Sequence, residues 1–374
     1  MRVSTSGAYT SGLSAMQRLQ AALDQTQRQI SSGRRILTPS DDPIAAARAV
    51  EIRESIGRLE QFDRNANVAN NQLAQEESAL GSVNDVLQRV RELALQANNA
   101  TQTTESRRLI AIEMRQNLDA LIQIANQKDG NGSYLFSGNL DSTQPVARIG
   151  TSFAYNGDQG QRFIQIGEGR QVADGDSGAT VFFHIKDGNG TFSASSANSN
   201  TGTGIITTTN VVDPTAWLGR SYTITFVDDT NYELYNSAGT LALTGALEPG
   251  GVIAFRGIEL SIDGQPQAGD EFVVSPSRFQ DVFSTVDQLA EVLETGSTDP
   301  ASQAAINNGI NAGLRNIDQA IGNILNVRTQ VGSRLAAIEN QVDSNGAFRL
   351  NYQDTLASIE DLDYAEALSR LSLE

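Results

Sequence analysis

Apolar residues near the C-terminus recur at alternating steps of four and three. The series runs Ile310, Leu314, Ile317, Ile321, Ile324, Arg328, Val331, Leu335, Ile338 and Val342. This is a heptad seam holding one arginine, and it predicts a long amphipathic helix. Asp299 can cap that helix and Pro300 can occupy its first position. A helix from there to about Val342 would be roughly 60 Å long. Arg328 reads as a side chain that snorkels out of the seam rather than a functional charge.

The N-terminal part answers with Ile52, Ile56 and Leu59, then Leu73, Leu80, Val83, Leu87, Val90, Ala94 and Ala97 at comparable spacing. Between Asn98 and Thr104 the chain turns polar. A return helix is then expected from about Glu105 to Asn126, with Leu109, Ile112, Leu118, Leu121 and Ile122 as its apolar face. With the C-terminal helix this makes a bundle of at least three. Two shorter stripes lie at the ends: Met16, Leu19, Leu23 and Ile30, and Leu356, Ile359, Leu362, Leu368 and Leu371. Breaks separate them from the bundle. On the N side the break is Leu37-Thr38-Pro39-Ser40-Asp41-Asp42-Pro43, where Asp42 can cap and Pro43 can open the next helix. On the C side Asn345-Gly346 is a weak point. Short amphipathic helices are marginal alone in water, so both ends are expected to be disordered in a free monomer and to fold in an assembly.

The middle has another pattern. Arg162–Ile166, Thr180–Ile185, Ser221–Val227, Asn231–Tyr235, Gly251–Ile262 and Glu271–Val274 read as strands. Asp228-Asp229-Thr230-Asn231 and Asp263-Gly264 read as hairpin turns, and Ser193–Thr209 as a long exposed loop. The fold class expected is α+β: a long antiparallel, coiled-coil-like helical bundle formed by both chain ends, with an inserted antiparallel β-rich domain. The domains expected are 1–44 plus 331–374 as a terminal helical domain, 45–176 plus 276–330 as a bundle with a β-hairpin near Arg162, and 177–275 as an outer β-domain.

Composition sharpens this division. Of 22 aromatic residues, 13 lie between Thr151 and Ser275, while proline is absent from Ile44 to Gln144 and after Pro300. Proline-free stretches permit long helices, and aromatics suit pleated surfaces. The formal charge is −17, which argues against nucleic acid or an anionic membrane as partner. Lysine occurs only at Lys128 and Lys186, leaving arginine to carry the positive charge. Arginine's planar fork suits fixed ion pairs, although a GC-rich gene explains the bias equally well. The absence of cysteine excludes disulfides, thiol catalysis and thiolate metal sites. The start lacks an apolar core like that of a signal peptide, and no stretch approaches the roughly 20 apolar residues of a membrane span. The expectation is a cytoplasmic protein, or one exported without a cleaved signal.

Candidate chemistry is sparse. His184, the only histidine, sits in a strand-like run without a Gly-x-Ser-x-Gly motif and reads as structural. Asp174-Gly175-Asp176-Ser177-Gly178 and Asp187-Gly188-Asn189-Gly190 begin like calcium loops. Both lack the third acidic ligand and the closing glutamate, so they read as turns. Gly188-Asn189-Gly190-Thr191-Phe192-Ser193 fails the dinucleotide fingerprint at its last glycine. Asp41-Asp42 is explained by helix capping. No catalytic, cofactor-binding or metal-binding residue is expected, and nothing supports an enzyme.

Two signatures at opposite ends carry a resemblance. Ile30-Ser31-Ser32-Gly33-Arg34-Arg35-Ile36, followed by Pro39-Ser40-Asp41-Asp42-Pro43-Ile44-Ala45-Ala46, resembles the N-terminal signature of flagellin-related axial proteins. Val327-Arg328-Thr329-Gln330-Val331-Gly332-Ser333-Arg334-Leu335 and Ser358–Ala367 resemble its C-terminal counterparts. Signature positions are Ser32, Gly33, Arg34, Pro39, Asp41, Asp42, Pro43, Arg328, Gly332 and Arg334. The opening Met1-Arg2-Val3-Ser4-Thr5, the two prolines and Gly132-Ser133-Tyr134-Leu135-Phe136-Ser137-Gly138 resemble the hook–filament junction branch rather than the filament subunit. The end, Leu368–Glu374, departs from flagellin's longer apolar tail.

The resemblance implies an extracellular structural adaptor of the bacterial flagellum, secreted through the flagellar type III export apparatus. It implies contacts with copies of itself in a ring, a neighbouring hook-associated protein, flagellin and an export chaperone. The terminal stripes would be its assembly residues. Flagellin itself is the alternative, and a secreted binding protein with a β receptor domain on a helical stalk is one of another class.

Overall fold

The computed structural model describes residues 5–99, 101–248, 250–296 and 299–373. The Met1–Ser4 part of the opening motif lies outside them. The described residues form six α-helices: α1 (Thr5–Ser32), α2 (Pro43–Ala97), α3 (Thr104–Ala125), α4 (Val282–Glu294), α5 (Pro300–Glu360) and α6 (Tyr364–Leu373). Between α3 and α4 come β1 (Val146–Ile149), β2 (Ser152–Tyr155), β3 (Phe163–Gly167), β4 (Arg170–Ala173), a π-helical turn (Ala179–Phe183) and β5 (Ile185–Lys186). They are followed by β6 (Phe192–Ser196), β7 (Ile205–Val211), β8 (Tyr222–Phe226), β9 (Asn231–Asn236), β10 (Leu241–Ala246), β11 (Val252–Phe255), β12 (Ile258–Asp263), β13 (Glu271–Pro276) and β14 (Phe279–Gln280). The chain divides into two compact units, residues 1–68, 164–172 and 336–374, and residues 69–163 and 173–335.

In the first unit α2 starts as its sequence dictates. The Ala45 N–H donates to Asp42 Oδ1 at 3.1 Å, and Pro43, which has no N–H to satisfy, is the first helical residue. Ala49, Ile52, Ala66, Ile166 and Ile338 are buried here. The expected break at Asn345-Gly346 is absent, because α5 runs on to Glu360 rather than ending near Val342. Asn345 is buried, and its amide donates to the Ile166 carbonyl at 3.0 Å and to Asp63 Oδ1 at 3.2 Å. Arg349 also bonds Asp63. Tertiary hydrogen bonds therefore absorb a polar side chain that would otherwise favour a turn.

The second unit contains a helical bundle. The later turns of α2 bury Leu73, Leu80, Val83, Leu87, Val90, Ala94 and Ala97 as the seam requires. The first turns of α5 bury Ile306, Ile310, Ile317, Ile321, Ile324, Val327 and Val331. The sequence reading missed α4. Its buried Val282, Phe283, Val286, Leu289, Ala290 and Leu293 form one face, and Asp281 caps it through the Ser284 N–H at 2.6 Å. The phase of α3 also differs from expectation. Its buried face is Arg107, Ile110, Ala111, Met114, Leu118, Leu121 and Ala125, whereas Leu109 and Ile112 are 61% and 46% exposed. Packing against α4 buries the face around Met114, while Leu109 and Ile112 share their side of the helix with Glu113 and Gln116.

The β-domain has a five-stranded antiparallel sheet, in the order β10-β9-β8-β13-β6, and a three-stranded one, β11-β12-β7. Phe192, Ile206, Tyr222, Ile224, Phe226, Leu260, Ile262 and Phe272 belong to one shared core. Four expectations need correction here. Ser193–Thr209 is not one exposed loop, since β6 and β7 occupy its ends. Gly251–Ile262 is a hairpin turned at Arg256-Gly257, both at positive φ, which matches a tight two-residue turn. A Cβ on Gly257 would lie 2.1 Å from the Asp213 carbonyl, so glycine is required. Asp263-Gly264 does not join neighbouring strands, because β12 and β13 belong to different sheets. Thr180–Ile185 is mainly the π-helical turn, with Val181 and Phe182 both fully buried. Alternation cannot bury two successive side chains on one face, and Phe136 and Phe283 pack on Phe182 instead.

β7 is an edge strand whose outer side meets α5. Asn308 accepts from the Ile206 N–H at 2.7 Å and donates to the Gly204 carbonyl at 2.9 Å. Asn311 donates to the Ile206 carbonyl at 3.0 Å, and Asn316 accepts from the Gly188 N–H at 2.8 Å. Helix asparagines thus satisfy backbone groups that an open sheet edge would leave bare.

Candidate assembly surface at the paired chain ends

The N-terminal signature and the 358–367 part of the C-terminal one, more than 300 positions apart, meet in the first unit. Gly33 ends α1 at φ +70, a left-handed turn that glycine adopts without strain. The Arg35 N–H then donates to the Glu360 carbonyl at 2.7 Å, and the Leu362 N–H to the Gly33 carbonyl at 3.1 Å. Arg34 and Asp361 form an antiparallel bridge between these donors. Side chains reinforce it. The Arg35 guanidinium donates to the Ile359 carbonyl at 2.8 Å, Gln29 donates to the Arg35 carbonyl at 2.7 Å, and Arg53 pairs with Glu360. A Cβ on Gly33 would sit 3.0 Å from the Tyr364 hydroxyl, so the α1 terminus and α6 approach closely.

The remaining N-side positions shape the link into α2. Ser32 Oγ accepts from the Arg34 N–H at 3.3 Å. Asp41 Oδ2 accepts from the Thr38 and Leu37 N–H groups at 2.8 and 3.0 Å, which hold its carboxyl below the usual carboxylate range. Pro39 lies in the loop these bonds close. On α5, Arg328 donates to Glu77 through two nitrogens at 2.9 and 2.6 Å, so this seam arginine is ion-paired and half-buried. Gly332 is exposed, and a Cβ there meets nothing within 4 Å.

The expected assembly residues split into two groups. Leu23, Ile30, Leu356, Ile359 and Leu371 are half-buried and Leu362 is buried. Met16, Leu19 and Leu368 are exposed, at 71%, 52% and 53%. Tyr9 and Leu13 extend the α1 stripe, and Phe348 and Leu350 on α5 are exposed as well. Spacing of four and three places Tyr9, Leu13, Met16 and Leu19 on one helix face, which the chain alone does not cover.

The reading of the sequence missed one constellation in the second unit. Arg334 donates to both oxygens of Asp176 at 2.9 and 2.8 Å, and the Asp176 N–H donates to Glu76 Oε1 at 3.1 Å. Asp174 pairs with Arg162 at 3.3 Å. The stretch 174–178 is not the turn expected but a buried, ion-paired strap of irregular backbone leading into the π-helical turn. Asp187-Gly188-Asn189-Gly190 is a turn stabilised by Asn189, which accepts from the Thr191 and Phe192 N–H groups. His184 is exposed against the Phe279 ring. Among the described residues no group of three or more His, Asp or Glu could hold a metal, and no helix is long and apolar enough to cross a membrane.

The family described as bacterial flagellin N-terminal helical region matches residues 3–141, and the D2-like domain of flagellar hook-associated protein 1 matches residues 195–276. Flagellar hook-associated protein 3 of Salmonella typhimurium is 31% identical over 185 residues, half of this chain and 58% of that protein. The match thus spans less than two thirds of this curated relative's length. Two solved structures align more fully. FlgL of Xanthomonas campestris shares 32% identity with a TM-score of 0.77, over 82% of this chain and 99% of that one. The flagellar junction protein FlgL of Legionella pneumophila shares 32% identity with a TM-score of 0.77, over 85% of this chain and 100% of that one. With matched signatures clasped at its two ends and this likeness over nearly the whole of those structures, the chain belongs to the flagellar hook-associated protein 3 family.

Proposed function

We infer that the chain is a structural adaptor at the hook–filament junction of the bacterial flagellum, seating the first flagellin subunits on the hook-associated ring. One observation carries this reading: the N- and C-terminal signatures clasp each other, and the helices leading from the clasp present apolar faces that the chain leaves exposed. Large exposed apolar stripes mark surfaces that another protein covers. On this reading Met16, Leu19 and Leu368 meet neighbouring subunits, while Leu23, Ile30, Leu356, Ile359, Leu362 and Leu371 hold the terminal helices together. Residues 1–44 plus 331–374 form the inner, assembly-dependent domain, 45–176 plus 276–330 the bundle, and 177–275 the outward domain. Further copies lie beside the chain in a ring, another hook-associated protein lies on the hook side, and flagellin on the filament side. An export chaperone covers the stripes before secretion through the type III apparatus, without a cleaved signal, to an extracellular site on the flagellum.

The likeness to hook-associated protein 3 structures over almost their full length favours this over flagellin itself. Deletion of the gene is the test, read by microscopy and an assay for flagellin in the medium. Hooks without filaments, with free flagellin in the medium, are expected. Hooks without filaments and no flagellin in the medium would point to the filament subunit. Normal filaments would overturn both readings.

A further inference from the structure

A buried carboxyl cluster in the second unit has one negative charge too many. Glu76 on α2 is 2% exposed and lies against the strap 174–178. Three carboxyls, those of Glu76, Asp174 and Asp176, are buried here, and two guanidiniums pair with them, Arg162 on Asp174 and Arg334 on Asp176. Arg162 is also shared with Asp141. Arg328 faces Glu77, one position along α2, and belongs to a separate pair. Among the described residues Glu76 has no ion-pair partner of its own.

Its two oxygens differ. Oε1 accepts the Asp176 N–H, while Oε2 is buried and has no hydrogen-bond partner among the described residues. One helical turn away, Gln72 Oε1 is another buried acceptor without a donor. Both residues line a cavity of about 30 Å³, together with Asp129, Tyr134, Arg162, Asp174 and Asp176. Two unpaired acceptors on one small cavity call for a donor. Asp129 Oδ1 accepts from the Asn131 and Ser133 N–H groups.

We propose that Glu76 carries a proton at neutral pH and that this proton latches the strap 174–178 onto α2 and α5. The neutral carboxyl turns Oε2 into a donor facing the cavity, leaves Oε1 to accept from Asp176, and makes the five-group cluster electrically neutral. The electrostatics agree. Burial, with the nearby Asp176 carboxylate adding to it, pushes the Glu76 carboxyl well above its ordinary range, and Arg334 only partly offsets this. Burial also raises Asp174, although Arg162 opposes it, which makes Asp174 the rival holder of the proton. A carboxyl whose affinity for protons rises on folding stabilises the fold fully at pH below its unfolded value. That stabilisation is lost as pH rises toward the folded value, and the strap loosens in alkali. This inference is independent of the junction role.

The test is a pH titration of the full chain, from about pH 6 to about pH 10, comparing wild type with Glu76→Gln and Asp174→Asn. Glutamine keeps the shape and the Oε1 acceptor and supplies a donor that does not titrate. Wild type is expected to lose up to tenfold in its folding constant per pH unit across the window, with faster exchange of the Asp176 and Gly178 amides after correction for intrinsic rates. Glu76→Gln is expected to flatten that profile, while Asp174→Asn keeps it. Infrared spectra of wild type at about pH 7 supply a readout independent of the variants' folding: a protonated-carboxyl band that fades in alkali is expected. Absence of that band, parallel profiles for wild type and Glu76→Gln, or flattening by Asp174→Asn alone would overturn the proposal.

Discussion

Replacing Asn308 with alanine should detach the outer β-sheet edge from α5. Asn308 is buried and serves two backbone groups of the β7 approach, the Ile206 N–H and the Gly204 carbonyl. Alanine leaves both without that partner. A buried polar group stripped of its hydrogen bond costs about 1–3 kcal/mol. Two such groups, with some relaxation and water entry, should cost about 2–4 kcal/mol, or roughly 30- to 700-fold in the equilibrium constant. Asn311 still holds the Ile206 carbonyl, so the loss should be local to the start of β7. Urea unfolding gives the total, and amide exchange at Ile206 gives the site. Asn326→Ala, exposed on the same helix, is the control and should stay within about 0.5 kcal/mol. Asn308→Ala costing under about 0.5 kcal/mol, with Ile206 exchange unchanged, would refute the idea that these side-chain bonds secure the strand.

Gly33→Ala should cost the clasped ends about 1–2 kcal/mol for the left-handed backbone, with Tyr364 also displaced, while Gly33→Asn should cost less; exchange at the Leu362 amide in the assembled state, where the ends are folded, checks this. Hydrogen exchange on the free monomer should find residues 1–40 and 345–374 nearly unprotected, since the terminal helices leave apolar stripes uncovered; strong protection there would remove assembly-coupled folding from the proposed function.

Several local features were legible because their physics is local. The Asp42-Pro43 start of α2 needs only an acceptor side chain and a residue without an N–H. The seam of α5 from Ile310 to Val331 needs only the helical repeat. The turn before Asn231 follows from Asp228, whose side chain accepts from the Thr230 and Asn231 N–H groups and is held well below the usual carboxylate range by them. Other features were misread where packing overrode a local pattern. Leu109 and Ile112 fit the helical repeat, but Glu113, Gln116 and Gln123 share their side of α3, and the face around Met114 packs instead. The Val181-Phe182-Phe183 run has strong strand preference, yet sits in a π-helical turn among Phe136 and Phe283.

By itself the sequence determined that both arms are helical, that the middle is β-rich, where α2 begins and which signatures the ends carry. Periodicity, caps and turn residues act within a few positions of chain, so they can be read along it. The tertiary structure alone decided that Gly33 and Arg35 bond the Leu362 amide and the Glu360 carbonyl. It also decided that Asn345 keeps α5 unbroken by bonding Ile166, and that Glu76 is enclosed beside Asp176 with no ion-pair partner among the described residues. Each of these pairs residues 100 or more positions apart. Their register is set by how whole elements pack, because a buried polar group must find its partner wherever the fold places one.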